Sequence, residues 1–183
     1  MLSFHKAELS DAAAIAELVN AAYRGESSRA GWTTEADLLD GLRITTPEVA
    51  TLIKREDAFV LVGVLRDQIV ASIACERSEN TAKFGLIAVK PTLQNKGYGR
   101  EMIQAAEAIT AREWRVAGFY MSVITLRTEL IAFYERLGFE RSGQFEDFPE
   151  SSLWQFRFKL PSGQWHVLST GLDDLALAKP QAI

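Results

Sequence analysis

Apolar residues recur at helical spacing in five stretches of the chain. The first stretch follows a capping residue, Ser10 or Asp11, and it places Ile15 and Val19 on one face. Pro47 suits the first turn of a later helix. The predicted helices span residues 11–23, 35–42, 46–53, 98–112 and 128–137. Each has one apolar face to bury against the rest of the protein.

Shorter apolar runs indicate strands. Residues 58–65 are almost wholly apolar, which predicts a buried strand, and the polar residues 66–68 return the chain as a hairpin. Pro91 ends a later strand because proline cannot donate to a sheet. The predicted strands span residues 3–7, 58–65, 69–75, 83–90, 119–125 and 153–160. This order of elements predicts a mixed α/β (α+β) fold.

The chain divides into one main domain and a short extension. Residues 1–160 contain all the elements above, and a chain of 183 residues suits a single core. Residues 161–183 are weakly patterned. In this extension, Trp165, Val167 and Leu168 predict an edge strand, and the tail from Asp173 is expected to be mobile.

Composition narrows the function classes. The net charge of −4 argues against bulk affinity for nucleic acid. Apolar runs fall well short of the ~20 residues of a membrane span, and the first residues lack the pattern of a signal peptide. Cys75 is the only cysteine, which favours a reducing, cytoplasmic compartment. His5 and His166 have no cysteine companions, so we expect no metal site.

A glycine loop, Gln94-Asn95-Lys96-Gly97-Tyr98-Gly99, lies between a predicted strand and a predicted helix. The first turn of a helix has unpaired N–H groups and the positive end of the helix dipole, so it attracts phosphate. Gly97 and Gly99 would let a pyrophosphate approach the backbone. Lys96 and Arg100 add positive charge beside it. The loop therefore predicts a phosphate site.

Two other phosphate loops do not fit this sequence. A P-loop requires Gly-Lys-Ser/Thr, whereas here Gly99 is followed by Arg100 and Glu101. A dinucleotide fingerprint requires a small residue at the position that Met102 occupies. An ordinary strand-to-helix turn that uses glycine is the remaining alternative.

A second motif, Phe133-Tyr134-Glu135-Arg136-Leu137-Gly138-Phe139, ends the last predicted helix. With the glycine loop, and with one strand between the two helices, it makes residues 83–112 and 119–139 resemble the core of the GNAT superfamily of acyl-CoA-dependent N-acyltransferases. That family's signature is Gln/Arg-x-x-Gly-x-Gly/Ala after a strand, and a later helix that ends in Phe/Leu-Tyr-x-x-Leu-Gly-Phe. The resemblance implies a mostly antiparallel, twisted sheet, flanked by helices and splayed between the strands near 83–90 and 119–125.

The resemblance also implies roles for individual residues. Ile87, Ala88 and Val89 would hold the pantetheine arm of acetyl-CoA through backbone hydrogen bonds, and one N–H there could polarise the thioester carbonyl. Tyr134 would be the general acid that protonates the departing thiolate. Helical spacing alone would make it a core residue. The residues implied for the pyrophosphate are Gln94, Asn95, Lys96, Gly97, Tyr98, Gly99 and Arg100.

Two positions depart from the family. Arg127 stands seven residues before Tyr134, where some members have an asparagine that contacts the cofactor, and it could still reach a phosphate. Ser122 stands twelve residues before Tyr134, where members that acetylate protein N-termini often carry a glutamate base. The base is therefore expected elsewhere. It could be water or one of three carboxylates: Glu35, Glu76 and Glu79.

The loop at residues 23–35 is expected to form the acceptor pocket, as the corresponding loop does in the family. Arg24 or Arg29 could clamp a carboxylate, and Glu26 or Glu35 could receive an ammonium group. With Trp32 as an aromatic contact, this mixture would suit a small zwitterionic amine. The alternative is a solvated loop with one tryptophan packed on the core.

The sequence therefore predicts an N-acetyltransferase that passes an acetyl group from acetyl-CoA to a primary amine by direct attack. The acceptor is expected to be a small amine or an amino-acid-like molecule, with no metal, nucleic acid or membrane involved. Cys75 need not act as a nucleophile and is expected to be a small, buried strand residue. Two alternatives stay open: a CoA-binding module without catalysis, and an enzyme that prefers NAD or ATP. Assembly into a homodimer also stays open.

Overall fold

The computed structural model describes residues 1–38, 41–147 and 164–170. The strands in these ranges are β1 (Ser3–Lys6), β2 (Ala58–Leu65), β3 (Gln68–Ser78), β4 (Thr81–Val89), β5 (Gly118–Ile124), β6 (Glu140–Asp147) and β7 (Gln164–Thr170). The helices are α1 (Ala12–Tyr23), α2 (Gly25–Ser28), α3 (Thr46–Ile53), α4 (Tyr98–Trp114) and α5 (Thr128–Glu135). Single 3₁₀ turns precede α1 at Leu9–Asp11 and α4 at Pro91–Leu93.

The described strands form one mixed sheet in the order β1-β2-β3-β4-β5-β7-β6. β2 and β3 form the predicted hairpin. Its turn uses Arg66 and Asp67 at φ of 51° and 59°, a left-handed conformation that matches the twist of the two strands. The β4–β5 pair is parallel and the other pairs are antiparallel. The mixed fold and the mostly antiparallel sheet predicted from the sequence are confirmed.

β4 and β5 pair only where they start. Their parallel contact joins Thr81, Ala82 and Lys83 to Gly118, Phe119 and Tyr120. After that, β5 pairs with β7 as far as Ile124, while β4 follows β3 to Val89. The two strands diverge and leave an opening in the sheet, which confirms the predicted splay.

Helices cover both faces of the sheet. On one face, α4 and α5 bury Met102 and Ile131, which are 0% and 1% exposed. On the other face, α1 buries Ile15 and Val19, both 0% exposed, and α3 packs beside it. Because both faces are covered, the central strands are apolar on both sides, which explains the unbroken apolar run at residues 58–65.

The predicted helix at residues 35–42 is wrong where the structure describes it. The chain turns there, with the Leu38 N–H donating to the Glu35 carbonyl at 2.8 Å, and residues 39–40 lie outside the described ranges. The Glu35 N–H donates to the Tyr23 carbonyl, also at 2.8 Å, and its side chain is buried. Tertiary contacts therefore override the local helical pattern. The short helix α2 lies instead within the predicted loop.

The predicted edge position of the strand around Trp165 is also wrong. β7 pairs with β5 on one side and with β6 on the other, so it lies inside the sheet. The outer strand is β6, whose sequence Glu-Arg-Ser-Gly-Gln-Phe-Glu-Asp is too polar for an apolar pattern to reveal but suits an exposed edge. The predicted strand at 153–160 and the tail from Asp173 lie outside the described residues. The domain boundary at residue 160 stays a prediction.

Candidate active site in the opening of the sheet

A bulge in β4 borders the opening between β4 and β5. The register between β3 and β4 shifts opposite this point, and Leu86 takes a φ of 47°, which is rare for a residue with a side chain. Two hydroxyl groups hold the bulge. The Ser72 hydroxyl donates to the Leu86 carbonyl at 3.2 Å, and the Tyr23 hydroxyl donates to the Ile87 carbonyl at 2.5 Å. The bulge thus lies at the residues predicted to hold pantetheine.

The glycine loop turns sharply into α4. Gly97 immediately precedes the helix and has a φ of 86°, a left-handed conformation that strains a residue with a side chain. A Cβ added at Gly99 would meet Phe133 Cζ at 3.6 Å, an ordinary contact, so the absence of a side chain there widens the cleft. Lys96 and Arg100 are exposed beside this turn. The start of α4 therefore suits an anion.

Tyr134 lies in α5 and is 4% exposed. Its ring packs edge-on against Phe133 and Phe139, with centroids 5.3 and 6.1 Å away. Burial raises the pKa of its hydroxyl, and the nearby Tyr23 raises it further. The hydroxyl keeps its proton at neutral pH, as a general acid must.

These three features enclose a cleft of about 500 Å³. The predicted site residues that line it are Trp32, Ile87, Val89, Gln94, Asn95, Gly97, Tyr98, Gly99, Arg100 and Tyr134. Ala88 lies outside the lining, because its side chain is 1% exposed and packs with α1 on the other face of the sheet. Lys96 belongs to the glycine loop but does not line the cleft.

Sequence reasoning missed several residues of the lining. Four of them come from one face of α5 and its last turn: Glu129, Ala132, Phe133 and Arg136. Their spacing of three and four residues is the signal that could have found them. Tyr23, at the end of α1, also lines the cleft. It carries no comparable local signal, because tertiary packing brings it there.

The Gln94 side chain makes contacts other than the predicted phosphate contact. Its oxygen accepts from the Trp32 N–H at 2.9 Å. Its nitrogen donates to Thr33 Oγ1 at 2.9 Å and to the Val89 carbonyl at 3.1 Å. Gly31 fits against this side chain because a Cβ there would lie 2.5 Å from Gln94 Oε1. Gln94 thus fastens residues 31–35, which we call the strap, to the end of β4.

Arg127, predicted to reach a phosphate of the cofactor, does not belong to the described lining of the cleft. Its side chain is 8% exposed, lies 2.9 Å from the Glu35 carboxylate and donates to the Thr33 carbonyl. Arg24 lies 3.2 Å from the other oxygen of the same carboxylate. A carboxylate this deeply buried needs positive partners, which is the physical reason for the arrangement. We call Arg24, Glu35 and Arg127 the ion cluster.

The charged side chains predicted to bind a zwitterionic acceptor are engaged elsewhere. Arg24 and Glu35 face each other within the ion cluster. Arg29 is exposed, pairs with Asp37 at 2.8 Å and does not line the cleft. Of the predicted acceptor contacts, Trp32 alone belongs to the described lining. Arg24, Arg29 and Glu35 therefore lie outside the described lining of this cleft.

The three carboxylates predicted as a base also lie outside the described lining of the cleft. Glu35 belongs to the ion cluster. Glu76 pairs with Arg55 at 2.5 Å. Glu79 precedes β4, at the opposite end of that strand from the cleft. Glu129 is the one carboxylate among the described lining residues.

Cys75 is 0% exposed in β3, and burial raises the pKa of its thiol. This agrees with a buried strand residue and not with a nucleophile, which must ionise. Within residues 1–38, 41–147 and 164–170, His, Cys, Asp and Glu side chains form no group of three that could hold a metal. No helix in the same ranges has the length and apolar character to cross a bilayer.

Similarities to known proteins centre on the same elements. Residues 56–141 match the family model described as an acetyltransferase (GNAT) domain. Among solved structures, smu.2055 from Streptococcus mutans UA159 aligns with a TM-score of 0.70 at 18% identity, covering 92% of this chain and 98% of that chain. The ribosomal-protein-S18-alanine N-acetyltransferase from Escherichia coli aligns with a TM-score of 0.68 at 15% identity, covering 100% and 99%. At such identities the likeness shows a common fold.

A third structure, the PaiA N-acetyltransferase from Thermoplasma acidophilum in complex with coenzyme A, aligns with a TM-score of 0.65 at 15% identity. It covers 94% of this chain and 99% of that chain. The family match itself runs from before β2 into β6, so it contains the bulge of β4, the glycine loop and Tyr134. These parts of the cleft and the shared fold lead to one assignment: residues 56–141 are an acetyltransferase (GNAT) domain by their family match.

Proposed function

We propose that this protein is an acetyl-CoA-dependent N-acetyltransferase that acts on a primary amine by direct attack. The observation that carries the proposal is the cleft shared by the β4 bulge, the left-handed turn at Gly97 and the buried Tyr134. They come from three separate parts of the chain. Between them they supply a strand edge for an extended amide chain, N–H groups for a pyrophosphate and a proton for a leaving thiolate.

The donor occupies the cleft along β4 and the glycine loop. Among the described residues, β4 has no strand partner on the β5 side beyond Lys83, so the backbone of Ile87 and Val89 can pair with the amides of pantetheine. The pyrophosphate lies at the start of α4, where backbone N–H groups converge. Lys96 and Arg100 complement its charge from the surface.

Acetyl-CoA supplies the acetyl group as a thioester. The lone pair of the amine forms a C–N bond at the carbonyl carbon, the C–S bond breaks, and its electron pair stays on sulfur. Tyr134 gives its hydroxyl proton to that sulfur and regains a proton from solvent. The amine gives one proton to water, and the products are an amide and the free thiol of CoA. Cys75 takes no part.

The acceptor is a small primary amine that reaches the thioester beside Tyr23 and Trp32. Both residues line the cleft, and the Trp32 ring packs edge-on against Phe133 at 5.7 Å. The acceptor needs no carboxylate, because Arg24 and Glu35 already face each other. We place the reaction in the cytoplasm, where the single Cys75 stays reduced.

Thermal unfolding with acetyl-CoA, NAD or ATP tests the donor assignment. Ligand at about a hundred times its dissociation constant stabilises the native state by roughly 2.7 kcal/mol, a rise of several degrees in Tm. We expect this rise with acetyl-CoA alone. A panel of small amines is then assayed for released CoA, beside Tyr134→Phe. Loss of one general acid should lower kcat by about 10²- to 10⁴-fold while the dissociation constant of acetyl-CoA stays the same.

One observation favours a second function, a CoA-binding module without catalysis. The three carboxylates predicted as a base lie outside the described lining of the cleft. The same experiments separate the two functions. Binding of acetyl-CoA without turnover of any amine supports the binding module, whereas turnover that depends on Tyr134 supports the enzyme. A wild-type protein that acetyl-CoA does not stabilise contradicts both.

A further inference from the structure

The ion cluster is buried with one positive charge in excess. The side chains of Arg24, Glu35 and Arg127 are 5%, 3% and 8% exposed. Two guanidinium groups face one carboxylate, so their formal charges sum to +1. Burial of three charged side chains costs desolvation energy, which makes the location of the cluster beside the cleft informative.

Arg127 joins three parts of the protein. Its backbone starts α5, where the Arg127 carbonyl accepts from the Ile131 N–H at 3.0 Å. Its guanidinium group binds the strap through Glu35 at 2.9 Å and through the Thr33 carbonyl. The same group lies 5.6 Å from the centroid of the Tyr23 ring. A displacement of this one side chain would therefore change contacts of α5, of the strap and of the end of α1.

Each of these connections leads to a part of the candidate active site. α5 carries Tyr134 two turns after Arg127. Tyr23 donates from its hydroxyl to the Ile87 carbonyl at 2.5 Å, which ties the end of α1 to the bulge of β4. Tyr23 lies close enough to Tyr134 to raise the pKa of the Tyr134 hydroxyl, and Arg127 acts on the pKa of both tyrosines. Arg127 is therefore linked both to the proposed proton donor and to the proposed pantetheine site.

The charged and titratable groups around the two tyrosines are few. Tyr134 faces Tyr23, Arg127 and Glu35. Tyr23 faces Arg127 and Glu35 and, in addition, Arg24 and Arg43. Burial raises the pKa of both hydroxyls, and the Arg127 guanidinium acts against that rise at each of them. Arg127 thus acts on both hydroxyls by charge, and it also lies against the Tyr23 ring.

We propose that Arg127 is a positioning residue for acyl transfer, which holds the Tyr134 hydroxyl and the β4 bulge at fixed places on either side of the reacting thioester. The inference rests on the proposed function. It assigns Arg127 a role in the chemical step, whereas a phosphate contact would act on donor binding. Geometric errors of about 1 Å at a reacting group cost on the order of 100-fold in rate.

The kinetic test compares Arg127→Met and Arg127→Lys with a matched control, Arg141→Met. Arg141 forms an exposed ion pair with Glu135 at 2.8 Å, so its loss removes an arginine without touching the cleft. We expect Arg127→Met to lower kcat by about 100-fold while the KM for acetyl-CoA changes less than about threefold. Lysine keeps the charge but cannot bind Glu35 and Thr33 with one planar fork. The kcat of Arg127→Lys should therefore fall between that of the wild type and that of Arg127→Met.

Two kinetic outcomes would overturn the inference. A higher KM for acetyl-CoA with an unchanged kcat would make Arg127 a phosphate contact after all. A lower Tm with an unchanged kcat would show that Arg127 contributes to stability only. If Arg127→Met does not fold, the split between kcat and KM in Arg127→Lys decides in the same way.

A second readout does not depend on turnover. The chain has four tyrosines, so fluorotyrosine labelling gives few fluorine NMR signals, which Tyr→Phe variants assign. We expect the Tyr134 signal to be one line in the wild type and in Arg141→Met, and to broaden or split in Arg127→Lys and Arg127→Met. An unchanged single line in both Arg127 variants overturns the inference. If the line broadens but the wild type turns over no amine, positioning by Arg127 is supported and the proposed enzyme activity fails.

Discussion

The cleft has two walls, and they are built by different means. The wall at residues 94–100 uses backbone geometry: a left-handed Gly97, the start of α4 and exposed cations. The other wall is formed by the strap, which contributes Trp32 and Thr33 to the lining. The ion cluster supports the strap from outside the lining, with side chains that are almost completely buried and that come from distant parts of the chain. Apart from Gln94, the first wall should tolerate substitutions that keep its backbone and its charge, whereas the second should be sensitive to the loss of a single charge.

The largest effect is expected from Glu35→Ala. This change leaves the guanidinium groups of Arg24 and Arg127 buried without their shared carboxylate. Breaking a buried ion pair on one side costs about 3–5 kcal/mol, a large share of the 5–15 kcal/mol typical of a folded domain. Urea unfolding followed by circular dichroism measures the loss.

Asp37→Ala is the control for that comparison. Asp37 stands just after the strap and pairs with Arg29 at 2.8 Å, but both side chains are largely exposed. Exposed pairs contribute little to stability, so we expect the unfolding midpoint to stay within error of the wild type. Equal losses in Glu35→Ala and Asp37→Ala would contradict the contrast between the two walls.

The next effect in size is expected at Gly97 and concerns binding. Aspartate there strains the left-handed turn and brings a negative charge to the proposed pyrophosphate site. We expect acetyl-CoA to bind about 100-fold more weakly, equivalent to roughly 2.7 kcal/mol, as measured by titration calorimetry. Asparagine has the same shape, adopts left-handed conformations more readily and carries no charge, so Gly97→Asn should lose far less. Equal losses would show that conformation alone matters at this position.

Alkaline pH should lower the stability of the protein through the two tyrosines near the ion cluster, Tyr23 and Tyr134. Burial raises the pKa of Tyr23 and Tyr134, so the folded state keeps protons that an unfolded tyrosine loses near pH ~10. Their contribution to stability is fully present below that pH and is lost as the pH rises through the folded pKa. Each tyrosine should lower the free energy of unfolding by about 1.4 kcal/mol per pH unit in this window.

Arg24 acts in the opposite direction. Burial lowers its pKa to about 10, so above that pH the folded state releases a proton that the unfolded chain retains, and stability rises. With two tyrosines against one arginine, we expect a net fall in stability above pH ~10. Urea unfolding at a series of alkaline pH values should give a shallower fall in Tyr134→Phe than in the wild type. Identical slopes would show that Tyr134 does not titrate as its burial requires.

The two walls also differ in how far the sequence predicts them. The glycine loop, the helix that follows it and the motif around Tyr134 are local patterns, and Tyr134 and all of residues 94–100 except Lys96 line the cleft. The ion cluster is not local, since Arg127 and Glu35 are 92 positions apart. Taken separately in the sequence, Arg24 and Glu35 predict contacts with a ligand. In the folded chain the two side chains pair with each other instead.

The same distinction holds for the fold. Strands with strong apolar patterns, such as β2, have their predicted bounds. β6 was beyond prediction because edge strands are polar, and the position of β7 depends on pairings that periodicity does not encode. The bulge at Leu86 also lacks a sequence signal, because no glycine marks its left-handed residue. Pattern therefore predicts elements, whereas register and bulges come from tertiary contacts.

The smallest effect is expected where the two walls meet, at Tyr23→Phe. This change keeps the ring but removes the donor to the Ile87 carbonyl, while Ser72 still holds the Leu86 carbonyl. A typical hydrogen bond contributes about 0.5–1.5 kcal/mol, so the loss of stability should fall in that range. Because the bulge then has one support, we expect the KM for acetyl-CoA to rise by about tenfold or less.

Ser72→Ala is the matched variant for this last prediction, because it removes the other support. Each single change should leave the bulge in place, whereas the double variant should lose more stability and more donor affinity than the sum of the two. A double-mutant cycle in both quantities measures the coupling. Strict additivity would mean that the two hydroxyls act on separate carbonyls and do not hold one bulge between them. In that case the end of α1 would contribute to the cleft through the ring of Tyr23 alone.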